Sequence, residues 1–119
     1  MDDRAIGVFD SGMGGLTAVR ELIRRLPGED VVYFGDTGRV PYGGRGTDTI
    51  IKYARQDVAF LNTFELKAIV IACGTVSTTA LEVLAAENKI PVLGVVEPAV
   101  RVAAGHSKNG KIGLIGTEA

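Results

Sequence analysis

The sequence predicts an α/β fold in which a parallel sheet is flanked by helices as a three-layer sandwich. Two observations support this prediction. Several short runs rich in Val and Ile are apolar at almost every position, which is typical of strands covered on both faces. The segments between them have helical periodicity, and alternating strands and helices favour parallel strands joined by right-handed crossovers. The predicted strands cover residues 5–10, 30–35, 68–73, 91–96 and 111–116.

The predicted helices lie between these strands. In the first two, apolar residues fall on one stripe and charged residues on the opposite side, as in helices packed against a sheet. In the third, Thr79 and Glu82 have the spacing of a capping box. Proline is accepted in the first turn of a helix, so a shorter fourth helix is compatible with Pro98. The four helices are expected over 15–26, over 48–63, from near Thr78, and after Pro98.

Composition excludes several classes of function. The chain has 119 residues, enough for one domain, with 46% apolar and 23% charged residues and a net charge of −1. No basic surface for nucleic acid or membrane is expected, and no apolar run approaches the roughly 20 residues that span a bilayer. The single cysteine cannot form an internal disulfide, which favours a reducing cytoplasm. With one histidine, and no CxxC pair, no metal site is expected.

Polar, glycine-rich loops follow the predicted strands. In open parallel sheets ligands bind beyond the carboxyl ends of the strands, so these loops are expected to converge on one ligand-binding edge. They are DSGMGG at 10–15, GDTGRVPYGGRG at 35–46, CGTVST at 73–78 and EPA at 97–99.

The first loop contains Asp10 and Ser11. It does not fit the dinucleotide fingerprint, because Thr17 stands at the third glycine position, and it lacks the GK[ST] ending of a P-loop. A carboxylate at the end of a strand can orient or accept a proton in a site. Equally, Asp10 and Ser11 can cap the following turn. The motif leaves both interpretations open.

The second loop contains Pro41, Tyr42 and Gly43. A loop of this length in a compact domain is often functional, and glycine lets the backbone approach a ligand closely. The alternative is an exposed turn with an aromatic lid. The residues alone do not separate the two.

Cys73 ends the third apolar run and precedes Gly74. A free buried cysteine is often only a small core residue. Its position at the ligand edge and just before a predicted helix, whose N-terminus favours negative charge, instead suggests a thiolate near a bound carboxylate. Thr75 adds a hydroxyl donor there. His106, followed by a turn sequence, is expected at the surface.

Taken together, these motifs resemble the glutamate racemases of the cofactor-independent aspartate/glutamate racemase superfamily. The resemblance implies two α/β domains with the active site between them. Residues 1–97 would form the N-terminal domain, and residues 98–119 the crossover helix and first strand of a truncated second domain. The matching segments are IGVFDSGMGGLTAVREL, YFGDTGRVPYGGRG, IVIACGTVSTTALE, IPVLGVVEPA and KIGLIGT.

The resemblance also implies roles for individual residues. The family uses two cysteines, one on each face of the substrate α-carbon, and no cofactor. Cys73 matches the first cysteine and Asp10 the acidic residue that assists it. At Gly74 the family usually has asparagine, which contacts the substrate. The expected substrate-binding residues are Asp10, Ser11, the loop residues Pro41, Tyr42 and Gly43, and Gly74 and Thr75.

The function implied by the resemblance is interconversion of L- and D-glutamate in the bacterial cytoplasm, supplying D-glutamate for peptidoglycan and thus for cell shape. The full-length protein would be a homodimer. One cysteine serves one face of the α-carbon, so this chain alone is expected to be inactive. An aspartate or hydantoin racemase is the near alternative, favoured by Gly74. A non-catalytic carboxylate- or phosphate-binding domain remains the alternative from another class.

Overall fold

The computed structural model describes residues 1–119 and contains one parallel sheet with the strand order β2-β1-β3-β4. Helices lie on both faces, which confirms the predicted α/β class. The strands are β1 Ala5–Asp10, β2 Val31–Gly35, β3 Leu66–Ile71 and β4 Val92–Gly94. The helices are α1 Leu16–Arg25, α2 Thr47–Leu61, α3 Gly74–Thr79, α4 Leu81–Glu87 and α5 Val96–His106, with a short 3₁₀ turn at Thr37–Arg39.

β1 is the central strand of the sheet. Val8 pairs with Tyr33 of β2 on one side and with Val70 of β3 on the other. Both Val8 and Phe9 are fully buried, as their apolar run predicts. Because all four strands are parallel, the loops that follow β1, β2 and β3 meet at one edge of the sheet.

The main core lies on one face of the sheet, beneath α2, α3 and α4. Ile50, Ala54, Val58 and Leu61 of α2 are buried there, at the three- and four-residue spacing of a single helical stripe. The other face is more open. It carries α1, none of whose residues is fully buried, and Leu93 of β4 remains 57% exposed.

The prediction that the third helix starts near Thr78 is wrong. The chain enters α3 directly after Cys73, breaks at Ala80 and continues as α4. The Thr79 hydroxyl donates to the Thr75 carbonyl at 2.6 Å, inside α3, and the N-cap of α4 is Ala80 with no side-chain cap hydrogen bond, so the predicted capping box does not form. A threonine hydroxyl can bond back to the preceding turn, and spacing alone does not exclude this competing arrangement.

The strand predicted at 111–116 is also absent. Residues 107–119 have no regular structure, and Leu114 and Ile115 are almost fully exposed. A strand requires a neighbour, and β4 pairs only with β3. The segment instead crosses the ligand edge of the sheet. No helix of the structure has both the length and the apolar character needed to cross a bilayer.

Candidate active site

A cavity of about 670 Å³ lies at the carboxyl edge of the sheet. The first loop and the turn after β3 form two of its walls, and α5 and the C-terminal segment form much of the rest. The predicted residues that line it are Asp10, Ser11, Cys73, Gly74 and Thr75.

Asp10 holds the first loop in place. Its Oδ2 accepts a hydrogen bond of 2.8 Å from the Gly15 backbone N–H. The Tyr33 hydroxyl lies 3.4 Å from the same oxygen and 2.7 Å from the Gly12 carbonyl, to which it donates. Burial and the neighbouring Asp10 charge raise the pKa of Tyr33 to about 12. Asp10 therefore does anchor the turn, and Oδ1 keeps its capacity to bind a ligand.

Gly15 is required by close packing rather than by an unusual backbone angle. Its φ is −64°, which any residue adopts. A Cβ atom added there would lie 2.7 Å from the Asp10 Cβ and 2.9 Å from the Ala72 Cβ. Real Cβ atoms do not approach so closely, so only glycine lets the loop reach the carboxylate.

Cys73 is both a core residue and a wall of the cavity. Only 5% of it is exposed, and it belongs to the main apolar cluster. Its Sγ lies 3.4 Å from the Ser11 Oγ, which accepts the thiol hydrogen. Cys73 stands two residues beyond β3, at the N-cap of α3, rather than at the end of the strand as predicted. The structure thus brings the cysteine against the first loop.

Thr117 is a cavity residue that sequence reasoning missed. Its Oγ1 lies 3.1 Å from the Thr75 Oγ1, so two hydroxyls meet at the cavity wall. A Cβ atom added to Gly43 would lie 2.7 Å from the Thr117 Cβ, so the second loop and the C-terminal segment are in contact. A polar residue directly after the last apolar run was the available signal. Gly74, by contrast, has open space where a side chain would begin.

The second loop is not the exposed turn with an aromatic lid that one of the two sequence interpretations expected. Pro41, Tyr42 and Gly43 do not line the cavity, whereas Val40 does. Tyr42 is not an exposed lid, because only 1% of it is exposed. Its hydroxyl hydrogen-bonds to Asp36 and Asp57, neither of which lines the cavity. A substrate contact by this loop remains a prediction.

His106 lies at the exposed end of α5, where its Nδ1 is 2.9 Å from the Val102 carbonyl. It does not line the cavity. No group of three or more His, Cys, Asp or Glu side chains is arranged to hold a metal ion.

A parallel α/β sheet with a thiol, a carboxylate and hydroxyls around a cavity at its carboxyl edge defines a small-molecule site of the kind enzymes use. Residues 14–119 match the family model described as Asp/Glu/Hydantoin racemase, and the chain belongs to that family.

The chain also has high sequence identity to individual glutamate racemases. The chain is 50% identical over 115 residues to a glutamate racemase of Geobacter metallireducens, covering 97% of this chain and 43% of the relative. It is 52% identical over 117 residues to one from Streptococcus pneumoniae, covering 98% and 44%. The chain therefore spans less than half the length of these relatives.

Solved structures of glutamate racemases are similar to this chain over most of its length. The glutamate racemase from Aquifex pyrophilus superposes with a TM-score of 0.93 at 50% identity, over 97% of this chain and 46% of that one. A glutamate racemase from Francisella tularensis in complex with D-glutamate gives a TM-score of 0.81 at 48% identity, over 86% and 39%. This chain is similar to the N-terminal portion of these racemases.

Proposed function

We propose that this chain is the N-terminal part of a racemase that interconverts L- and D-glutamate by cofactor-independent proton transfer, with Cys73 as one of the two acid/base groups. The observation that carries the proposal is the position of the Cys73 Sγ, 3.4 Å from the Ser11 Oγ at the wall of the cavity. High identity to glutamate racemases over nearly the whole chain supports the choice of substrate.

In the proposed reaction the Cys73 thiolate removes the α-proton of L-glutamate. The Cα–H bond breaks, an S–H bond forms, and the electron pair is delocalised into the α-carboxylate. A thiol on the opposite face then protonates the planar carbon and gives D-glutamate. A base on one face cannot invert the centre alone, so the second thiol is expected in the remainder of the full-length protein.

The other cavity residues have positioning roles in this proposal. Asp10 is fixed by Gly15 and keeps one oxygen available near the substrate amine or the thiol. Ser11 holds the Cys73 sulfur in place. The Thr75 and Thr117 hydroxyls are close enough to each other to bind the same substrate carboxylate. Such pre-organised contacts orient the α-carbon for attack.

Further expectations follow from the same proposal. The full-length protein is expected to be a cytoplasmic homodimer that supplies D-glutamate for the peptidoglycan of a bacterium. The chain of residues 1–119 alone is expected not to racemise glutamate.

The test is to follow the optical activity of L-glutamate with the full-length protein and its Cys73→Ser variant. A serine hydroxyl is far less acidic than a thiol, so we expect the rate to fall at least about a hundredfold, within the range attributed to general acid–base catalysis. Thr78→Ala is the matched control, because Thr78 also lines the cavity but its hydroxyl bonds to the helix backbone. Full activity of Cys73→Ser would refute the proposal.

The Gly74 position favours a second candidate, a racemase of aspartate or hydantoins, because no side chain fills the space beside Cys73. Running L-aspartate and a hydantoin in parallel with L-glutamate separates these substrates. Deuterium incorporation at Cα from each enantiomer tests for two bases. Binding of glutamate with no change in optical rotation would instead favour the non-catalytic carboxylate-binding domain.

A further inference from the structure

A buried cluster of two carboxylates and a phenol lies beside the candidate active site. Asp36 follows β2, Tyr42 lies in the second loop, and Asp57 lies on α2. They are only 8%, 1% and 2% exposed. The Oδ2 atoms of both carboxylates are hydrogen-bonded to the one Tyr42 hydroxyl.

This arrangement requires more protons than the phenol possesses. A tyrosine hydroxyl has one hydrogen and can donate it to only one carboxylate. If both carboxylates were ionised, the second would face a phenol lone pair with no proton between them. A proton on one carboxyl removes this conflict, because that carboxyl donates to the phenol oxygen while the phenol donates to the other carboxylate.

The surrounding charges also indicate one additional proton. The one cation that contacts the carboxylates is Arg39, whose Nε lies 2.7 Å from the Asp36 Oδ2 and whose Nη2 lies 2.9 Å from the Asp57 Oδ1. One additional proton makes the cluster neutral, which burial favours.

The other neighbouring groups do not compensate the second negative charge. Arg45 of the second loop bonds to the backbone carbonyls of Pro41 and Arg39 and lies over the Tyr53 ring of α2, 5.1 Å from its centroid. From β1, the uncharged ring of Phe9 packs beside Tyr42, with the ring centroids 6.3 Å apart.

We propose that Asp36, Tyr42 and Asp57 share one proton beyond the phenol's own, taken from solvent and held on Asp57, and that it positions the second loop at the border of the active site. Asp57 is then a positioning residue, which acts through Tyr42 and touches no substrate.

The expected titration agrees with this geometry. Burial, together with the hydrogen bond and charge of Asp36, raises the pKa of Asp57 to about 6. Burial alone would raise the pKa of Asp36, but hydrogen bonds from Tyr42 and Arg39 and the Arg39 charge hold it below its usual value. Burial and the hydrogen bonds to both carboxylates raise the pKa of Tyr42 well above its usual value.

The residues on either side of Tyr42 connect the protonation of Asp57 to the cavity. Val40 lines the cavity, and Gly43 lies against Thr117. When Asp57 loses its proton, one hydrogen bond to the phenol is lost and the loop becomes less firmly held. The effect on substrate rests on the proposed function, whereas the shared proton and the loop order do not.

The test uses the full-length protein and measures the side-chain carboxyl titrations by carbon NMR and the amide exchange of residues 37–46 between pH 5 and 8. We expect Asp57 to titrate near pH 6 and amide protection in the loop to fall about tenfold through that titration, as expected for loss of about one buried hydrogen bond. Asp57→Asn, whose amide both donates and accepts, should remove this fall. Asp48→Asn, on the exposed start of α2, should retain it.

An Asp57 carboxyl that titrates near pH 4 like an exposed aspartate would overturn the proposal, as would loop protection that does not follow its titration. This titration of the unmodified protein decides the matter even if Asp57→Asn fails to fold. If the full-length protein is an active enzyme, we also expect its KM to rise through the same pH range relative to the KM of Asp57→Asn. The ratio of the two kcat values should stay constant. An inactive protein with the predicted titration would refute the proposed function and leave the shared proton supported.

Discussion

Replacing Gly15 by alanine is expected to disrupt the site through a single added carbon atom. The new Cβ would lie 2.7 Å from the Asp10 Cβ and 2.9 Å from the Ala72 Cβ. Neither neighbour can retreat freely, because Asp10 belongs to the central strand β1 and Ala72 directly follows β3. The loop must therefore move away from the sheet.

The expected size of the effect has two parts. Overpacking a tightly packed position costs about 1–3 kcal/mol. Moving the loop also weakens the 2.8 Å bond from the Gly15 N–H to the Asp10 carboxylate, and a hydrogen bond to a charged group contributes about 1.5–3 kcal/mol. Because the two costs relieve each other in part, we expect the free energy of unfolding to fall by about 2–4 kcal/mol.

Gly14→Ala is the matched control. Gly14 is the adjacent residue, it also lacks a positive φ, and a Cβ added there meets nothing within 4 Å. At such a position alanine changes stability by less than about 1 kcal/mol. Urea unfolding of both full-length variants, followed by circular dichroism, measures the difference. Equal midpoints and equal slopes for the two variants would refute the steric argument.

Two further predictions concern stability. Ser77→Ala should lower the free energy of unfolding by about 1–2 kcal/mol, since the buried Ser77 hydroxyl donates to the Ile71 carbonyl at 3.0 Å and accepts from the Val95 N–H at 3.3 Å; an unchanged urea midpoint would contradict it. Because the pKa of Asp57 is raised from 3.8 to about 6 in the folded protein, its stabilising contribution is complete below pH 4 and is lost as the pH rises through about 6. Relative to Asp57→Asn, the unmodified protein should lose about 3 kcal/mol of stability over that range, and a difference independent of pH would exclude this linkage.

The strand and helix pattern was predictable where the signal is local. β1 was predicted over 5–10 and is observed at Ala5–Asp10, because its apolar run ends at a charged residue. The strand expected at 111–116 also has an apolar run, yet it does not form. The difference is non-local, since β1 has neighbours on both sides and that segment has none.

The site was predictable at the level of which loops meet. Asp10, Ser11 and Cys73 line one cavity because parallel strands place their following loops at a common edge. The contribution of Thr117 was not predictable, because it depends on how residues 107–119 fold back over that edge.

By itself, the sequence determined the alternation of strands and helices, the edge of the sheet that carries the polar loops, and the residue types present there. Only the tertiary structure decided where the side chains of those loops point. Tyr42 turns inward because Asp36 and Asp57, which approach it from different elements, satisfy its hydroxyl. Cys73 belongs to the core and also lines the cavity, where it lies beside Ser11. Periodicity records which residues are apolar, but the direction of a side chain in a loop depends on partners that are distant in the chain.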